Sequence, residues 1–153
     1  MREAAGLNGM IIRAGLIYGR GGTMLLTSLI GAATRSGTAI HIGAGDNEWT
    51  PVHVDDLARL YLKALERPAA GTYNAAGPRQ FTFRELAEAI ADLTGTTATS
   101  ITAEQAESEM GPMAALLQSS ARITSQKAQN TFGWNTGGAA LPNDVRSGSY
   151  RAI

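Results

Sequence analysis

The stretch Gly9–Gly22, GMIIRAGLIYGRGG, decides the fold class. It is an apolar, β-branched run that empties into a glycine-rich loop, the pattern by which a buried parallel strand delivers backbone to a ligand. A second stretch, Trp49–Ala58, WTPVHVDDLA, reads as a short strand, Val52–Val54, running into a helix capped by Asp55 or Asp56. Met10–Ile17 is apolar on both faces, so it expects strands on either side and helices above and below. Met1–Leu7, read as the tail of a helix stopped by Asn8-Gly9, is too short to supply that cover. The chain therefore begins as if a preceding sheet had been cut away.

Working outward, Leu25, Leu26, Leu29, Ile30 and Ala33 share one face of a helix that follows Thr23. Ala39–Ile42 is a short strand closed by the turn cluster Gly43–Asn47. The helix after Asp55 carries the stripe Leu57, Leu60, Tyr61, Ala64 and Leu65, and Pro68 and Gly71 mark its end. Thr72–Ala76 is extended. Thr82 with Glu85 three residues on is a capping box that opens a helix from Phe83 to Leu93, stopped by Gly95. A strand over Thr97–Thr102 follows, then a helix from Ala103 to Gln118 interrupted at Gly111-Pro112. Ser125 caps a short helix toward Phe132, and Pro142–Ser147 forms a last turn or helix. Strands alternate with helices, so the class is α/β.

Composition narrows the function. In 153 residues, thirteen basic side chains balance thirteen acidic ones, so no net field draws in nucleic acid or an anionic membrane. With no cysteine there is no disulfide, thiolate metal site or cysteine nucleophile. No apolar run reaches the ~20 residues of a membrane span, and no signal-peptide core is present. The expected compartment is the cytoplasm. His53 beside Asp55 and Asp56 could suggest a metal or a His–Asp dyad. Helix capping by the aspartates is the stronger reading, because zinc-type ligand spacing is missing.

Two further patterns are absent from the sequence. Tyr18, Tyr61, Tyr73 and Tyr150 each lack a lysine four residues on, and no G-x-x-G-x-x-G stands at a strand–helix junction. Without such a nest there is no pyrophosphate site. Without a lysine-lowered tyrosine there is no proton relay for hydride chemistry.

Arg13–Gly22 resembles the sixth-strand exit of the extended or atypical short-chain dehydrogenase/reductases, the NAD-dependent epimerase/dehydratase group. Trp49–Ala58 resembles that group's strand-to-helix signature. Tyr73-Asn74, Thr82 with Arg84-Glu85-Leu86, Ser125–Ala128 with Phe132-Gly133-Trp134, and Gly148-Ser149-Tyr150 follow in the group's order. The resemblance implies the C-terminal part of a Rossmann-type fold, its dinucleotide-binding part missing. Residues 1–22 and 52–77 would be late sheet elements, and 23–51 with 78–153 a substrate-binding lobe of the same single incomplete domain.

By position, the resemblance implies that Ala14 and Gly15 face the cofactor, with backbone N–H groups near a carboxamide. Leu16, Arg20 and, more weakly, Met24 would face the substrate. The group commonly has proline where Ala14 stands. Trp49 stands where its nucleotide-sugar enzymes usually carry an arginine on a diphosphate. An indole cannot replace a bidentate guanidinium, so the substrate is expected to be smaller or less charged, with Trp49 either facing it or plugging the core edge. No catalytic residue and no metal ligand is assigned. NAD or NADP would serve the intact protein, and none is expected to bind this chain alone. The expected partners are a small-molecule substrate and either a missing N-terminal half or a second copy paired along an exposed sheet edge. A non-catalytic binding or interaction module is the alternative.

Overall fold

The computed structural model describes residues 9–151, so the expected helix tail over Met1–Leu7 lies outside the described residues. The quoted stretch forms two collinear strands, β1 (Met10–Ala14) and β2 (Leu16–Tyr18). After α1 (Met24–Ser36) come β3 (Thr38–Ile42), β4 (Glu48–Trp49), β5 (Pro51–His53) and α2 (Val54–Glu66). Next are β6 (Gly71–Ala75), β7 (Phe81–Thr82), α3 (Phe83–Thr94) and β8 (Thr97–Ile101). Among the described residues, four short helices follow: α4 (Ala103–Met110), α5 (Pro112–Gln118), α6 (Gln126–Phe132) and α7 (Leu141–Ser147). The α/β reading holds.

β1 pairs with β6, β2 with β5 and β3 with β8, all parallel, while β4 and β7 pair antiparallel. The single strand expected over Met10–Ile17 thus changes neighbour at Gly15. There Gly15 N–H donates to Ala75 O at 2.9 Å and Leu16 N–H to Thr50 O at 3.2 Å. A Cβ on Gly15 would sit 2.1 Å from Thr50 O, so glycine is required by the close approach of the two backbones.

The expectation that this strand is covered on both faces is not met among the described residues. Met10 and Ile12 pack inward, whereas Ile11 and Ile17 remain 47% and 39% exposed.

Two cores result. One joins Val52, Leu57, Leu60, Ala64 and Tyr73 to Ala128, Phe132 and the fully buried Trp134. The other gathers α1, β3, α3 and α7 around Leu26, Phe81, Leu86, Leu141 and Tyr150. Of the α1 stripe, Leu26, Ile30 and Ala33 are buried, and Leu25 and Leu29 pack partly buried against this core. The Thr82–Glu85 capping box forms in full, with Gly95 left-handed at the far end of α3. A second box, Thr102 with Gln105, opens α4 and escaped the sequence reading.

Three element readings are corrected. α2 is capped by His53, whose ring nitrogen accepts the Asp55 N–H, and both aspartates fall inside the first turn. Tyr61 and Leu65 point outward, 49% and 73% exposed, because α2 carries a second apolar stripe (Ala58, Tyr61, Leu62, Leu65) beside the buried one. Ser125 stands at the start of α6, but its hydroxyl donates to Ala76 O instead of capping the helix.

Candidate functional site

β2 ends at Tyr18 and β5 at His53, side by side in parallel, so the segments after them emerge at the carboxyl end of the sheet, where α/β folds bind ligands. The loop between β2 and α1 has positive φ at Gly19, Arg20, Gly21 and Thr23. For Arg20 and Thr23 such angles cost on the order of 1–3 kcal/mol each and persist only where neighbours hold them.

The neighbours that hold the loop come from the far end of the chain. Tyr150 Oη accepts Gly19 N–H at 3.1 Å and donates to Gly22 O at 2.8 Å. Ser149 Oγ accepts Gly21 N–H at 3.1 Å and donates to Asp144 Oδ2 at 2.8 Å, while Asp144 Oδ1 accepts Ser149 N–H at 3.0 Å. Gly22 N–H turns back onto Gly19 O. The loop's glycine donors are therefore spent inside the protein, so despite its composition it is no anion-binding nest.

Two tyrosines line this junction. Burial, reinforced by the negative charges of Asp56 and Asp144 and by Tyr150, pushes the Tyr18 hydroxyl far above its ordinary value. Tyr150 is raised as well, chiefly by burial and further by Asp144, against the lowering effect of hydrogen bonds from Gly19 and Thr23. Proton-relay tyrosines need the opposite shift. Both are structural: Tyr18 donates to Ala139 O and packs edge-on against His53 with ring centroids 5.2 Å apart.

His53, Asp55 and Asp56 divide into separate tasks. His53 Nδ1 accepts the Asp55 N–H at 3.2 Å, and Asp55 pairs with Arg20 at 2.8 Å. Asp56 is 2% exposed. Its carboxylate accepts Gly137 N–H and Gly138 N–H at 3.0 Å each and pairs with Arg59, and its main-chain oxygen accepts the Trp134 indole N–H at 2.8 Å. It staples the loop after Trp134 to α2. Among the described residues, no group of three His, Asp or Glu is placed to hold a metal.

Of the residues singled out from the sequence, Leu16 and Trp49 pack against the same core. Trp49 lies edge-on to Phe83 at 5.2 Å, and its indole donates to Ser119 O at 2.9 Å. Ala14 is exposed, and Gly15 spends its N–H on Ala75, so that atom does not point to a ligand. Arg20 is exposed and held toward Asp55. Met24 stands apart, 83% exposed at the start of α1.

The sequence reading took Asp56 for a helix cap and missed Asp144, Ser149 and Tyr150 as site-shaping groups. Their only sequence signal was the ending Gly148-Ser149-Tyr150. It also missed a cavity of about 490 Å³ among α1, β3, α3 and the α4–α5 turn. Leu29, Ala33, Ile40, Leu86, Met110 and Leu117 form much of its wall, and His41 lines it too.

Comparison with known proteins places this geometry. Solved structures share the fold. Human epimerase family protein SDR39U1, solved with NADPH, aligns over 92% of this chain and 48% of its own, with a TM-score of 0.71 and 22% identity. The dTDP-glucose 4,6-dehydratase DesIV of Streptomyces venezuelae, solved with NAD and TYD, aligns over 95% and 44%, with a TM-score of 0.69 and 22% identity. Among curated relatives, the uncharacterized protein YLL056C of Saccharomyces cerevisiae is 26% identical over 93% of this chain and 48% of its own length. The uncharacterized protein C2A9.02 of Schizosaccharomyces pombe is 29% identical over 88% and 46%. The chain thus spans about half the length of the curated relatives it matches. These likenesses bear out the reading of a late, C-terminal part of the extended short-chain dehydrogenase/reductase fold. Residues 2–137 match the RmlD substrate binding domain, and the chain belongs to that family.

Proposed function

We propose that this chain is the substrate-binding side of an NAD(P)-dependent enzyme acting at a carbon that bears a hydroxyl or carbonyl, and that it does not turn over substrate alone. The observation that carries this reading is the substrate-domain match over residues 2–137, joined to a loop–sheet junction whose tyrosines are buried away from acid–base use. Leu16, Arg20 and Trp49 would shape the substrate side, Ala14 and Gly15 would border the nicotinamide, and Met24 would lie at the outer margin. Coenzyme grip and proton transfer would come from another part of a longer protein. NAD and NADPH appear with the structural neighbours, which supports the same coenzyme class here.

The exposed Ile11 and Ile17 support a partner on the uncovered side of β1 and β2, either such a part or a second copy. The test follows nicotinamide absorbance while the chain is given NADPH or NADH with a panel of ketones and aldehydes. No oxidation above the blank is expected, and turnover by the chain alone would overturn the reading.

A further inference from the structure

We infer that the cavity among α1, β3, α3 and the α4–α5 turn takes a neutral, largely apolar, ring-sized molecule and excludes phosphorylated ones. This inference deepens the functional reading above and rests on it for calling the molecule a substrate. A diphosphate needs free cations or free backbone donors. Around this lobe Arg20 is paired with Asp55, Arg84 with Asp46, Arg122 with Glu48 and Arg79 with Glu85. The glycine loop's donors are held by Tyr150, Ser149 and Gly19 itself. Arg35 and Glu109 both line the cavity, one charge of each sign, so its lining carries no net formal charge.

Size and lining point the same way. The ~490 Å³ volume lies within the range of small-molecule sites. Alanines at 32, 33, 39 and 87 leave room among leucine and isoleucine side chains. Leu29 of this lining packs against the same core as Leu16 and Trp49. One polar group is left over: His41 lines the cavity, and its Nδ1 is buried without a hydrogen-bond partner. Orphaned buried polar atoms are rare and call for a partner. The His41 nitrogen packs against Gly45, so the lining offered to a ligand is mainly alanine, leucine and isoleucine, which suits an apolar ring.

The test titrates 1-tetralone, a neutral bicyclic ketone, into the isotope-labelled chain and follows the methyl resonances of Leu29, Met110 and Leu117. Uridine diphosphate and inorganic pyrophosphate are titrated in parallel. The ketone should shift these methyls saturably, and neither phosphate should. Ala32→Phe, at an exposed helix position that lines the cavity, should weaken the ketone at least tenfold while leaving the distant Val145 methyls in place. A silent ketone, a ketone response that survives Ala32→Phe, or a phosphate that shifts the cavity methyls or the Trp49 indole would overturn the inference. No coenzyme is present, so the outcome is independent of whether hydride transfer is the right chemistry.

Discussion

Asp56 and Gly15 each sit where two separate segments of the chain meet. Asp56 reads from sequence as one of two candidate caps. In the fold its carboxylate joins α2 to the loop after Trp134 through two backbone donors and Arg59. Removing this buried charged acceptor leaves the Gly137 and Gly138 N–H groups without their partner and frees Arg59, so Asp56→Ala should cost about 3 kcal/mol in a denaturant melt. Asp55→Ala, which removes the pair with the exposed Arg20 and a longer contact to His53, should cost less than about 1 kcal/mol. At Gly15 a methyl group would strike Thr50 O. Gly15→Ala should therefore destabilise by about 2 kcal/mol or more in the same measurement. The need for glycine was legible in the sequence, but its cause was not. Backbone proximity between residues 15 and 50 leaves no local pattern.

The elements divide by whether their signals are local. α3 was read correctly because Thr82, Glu85 and Gly95 act within a few residues of the backbone they cap. Thr82→Ala should lower stability by about 1 kcal/mol, visible as a lower melting temperature. The Gly19–Thr23 loop shows the opposite case. It looks free to greet a ligand, yet its donors are bound by residues some 130 positions away. Its tyrosine contacts set an alkaline limit. Both Tyr18 and Tyr150 are raised in the folded state, so the unfolded chain releases these protons first. Their contribution is full below the ordinary tyrosine value near 10 and is lost as pH rises from there through the folded values. Melting temperatures taken from pH 8 upward should fall beyond pH ~10, and Tyr150→Phe should flatten that fall while lowering stability at neutral pH.

At the scale of the whole molecule, helix–strand alternation was enough to name the class, and collinear motifs were enough to name the family. What sequence could not supply was which apolar surface stays open. α2 has two stripes, and only packing tells Leu60 from Leu62. The cavity was equally hidden, since its lining comes from five separate elements and each residue reads as ordinary core. The central claim, that this chain contributes the substrate side while coenzyme is gripped elsewhere, is met most directly by calorimetric titration of NADH and NADPH into the purified chain. The account predicts no saturable heat for either dinucleotide. Micromolar binding of one of them would contradict it.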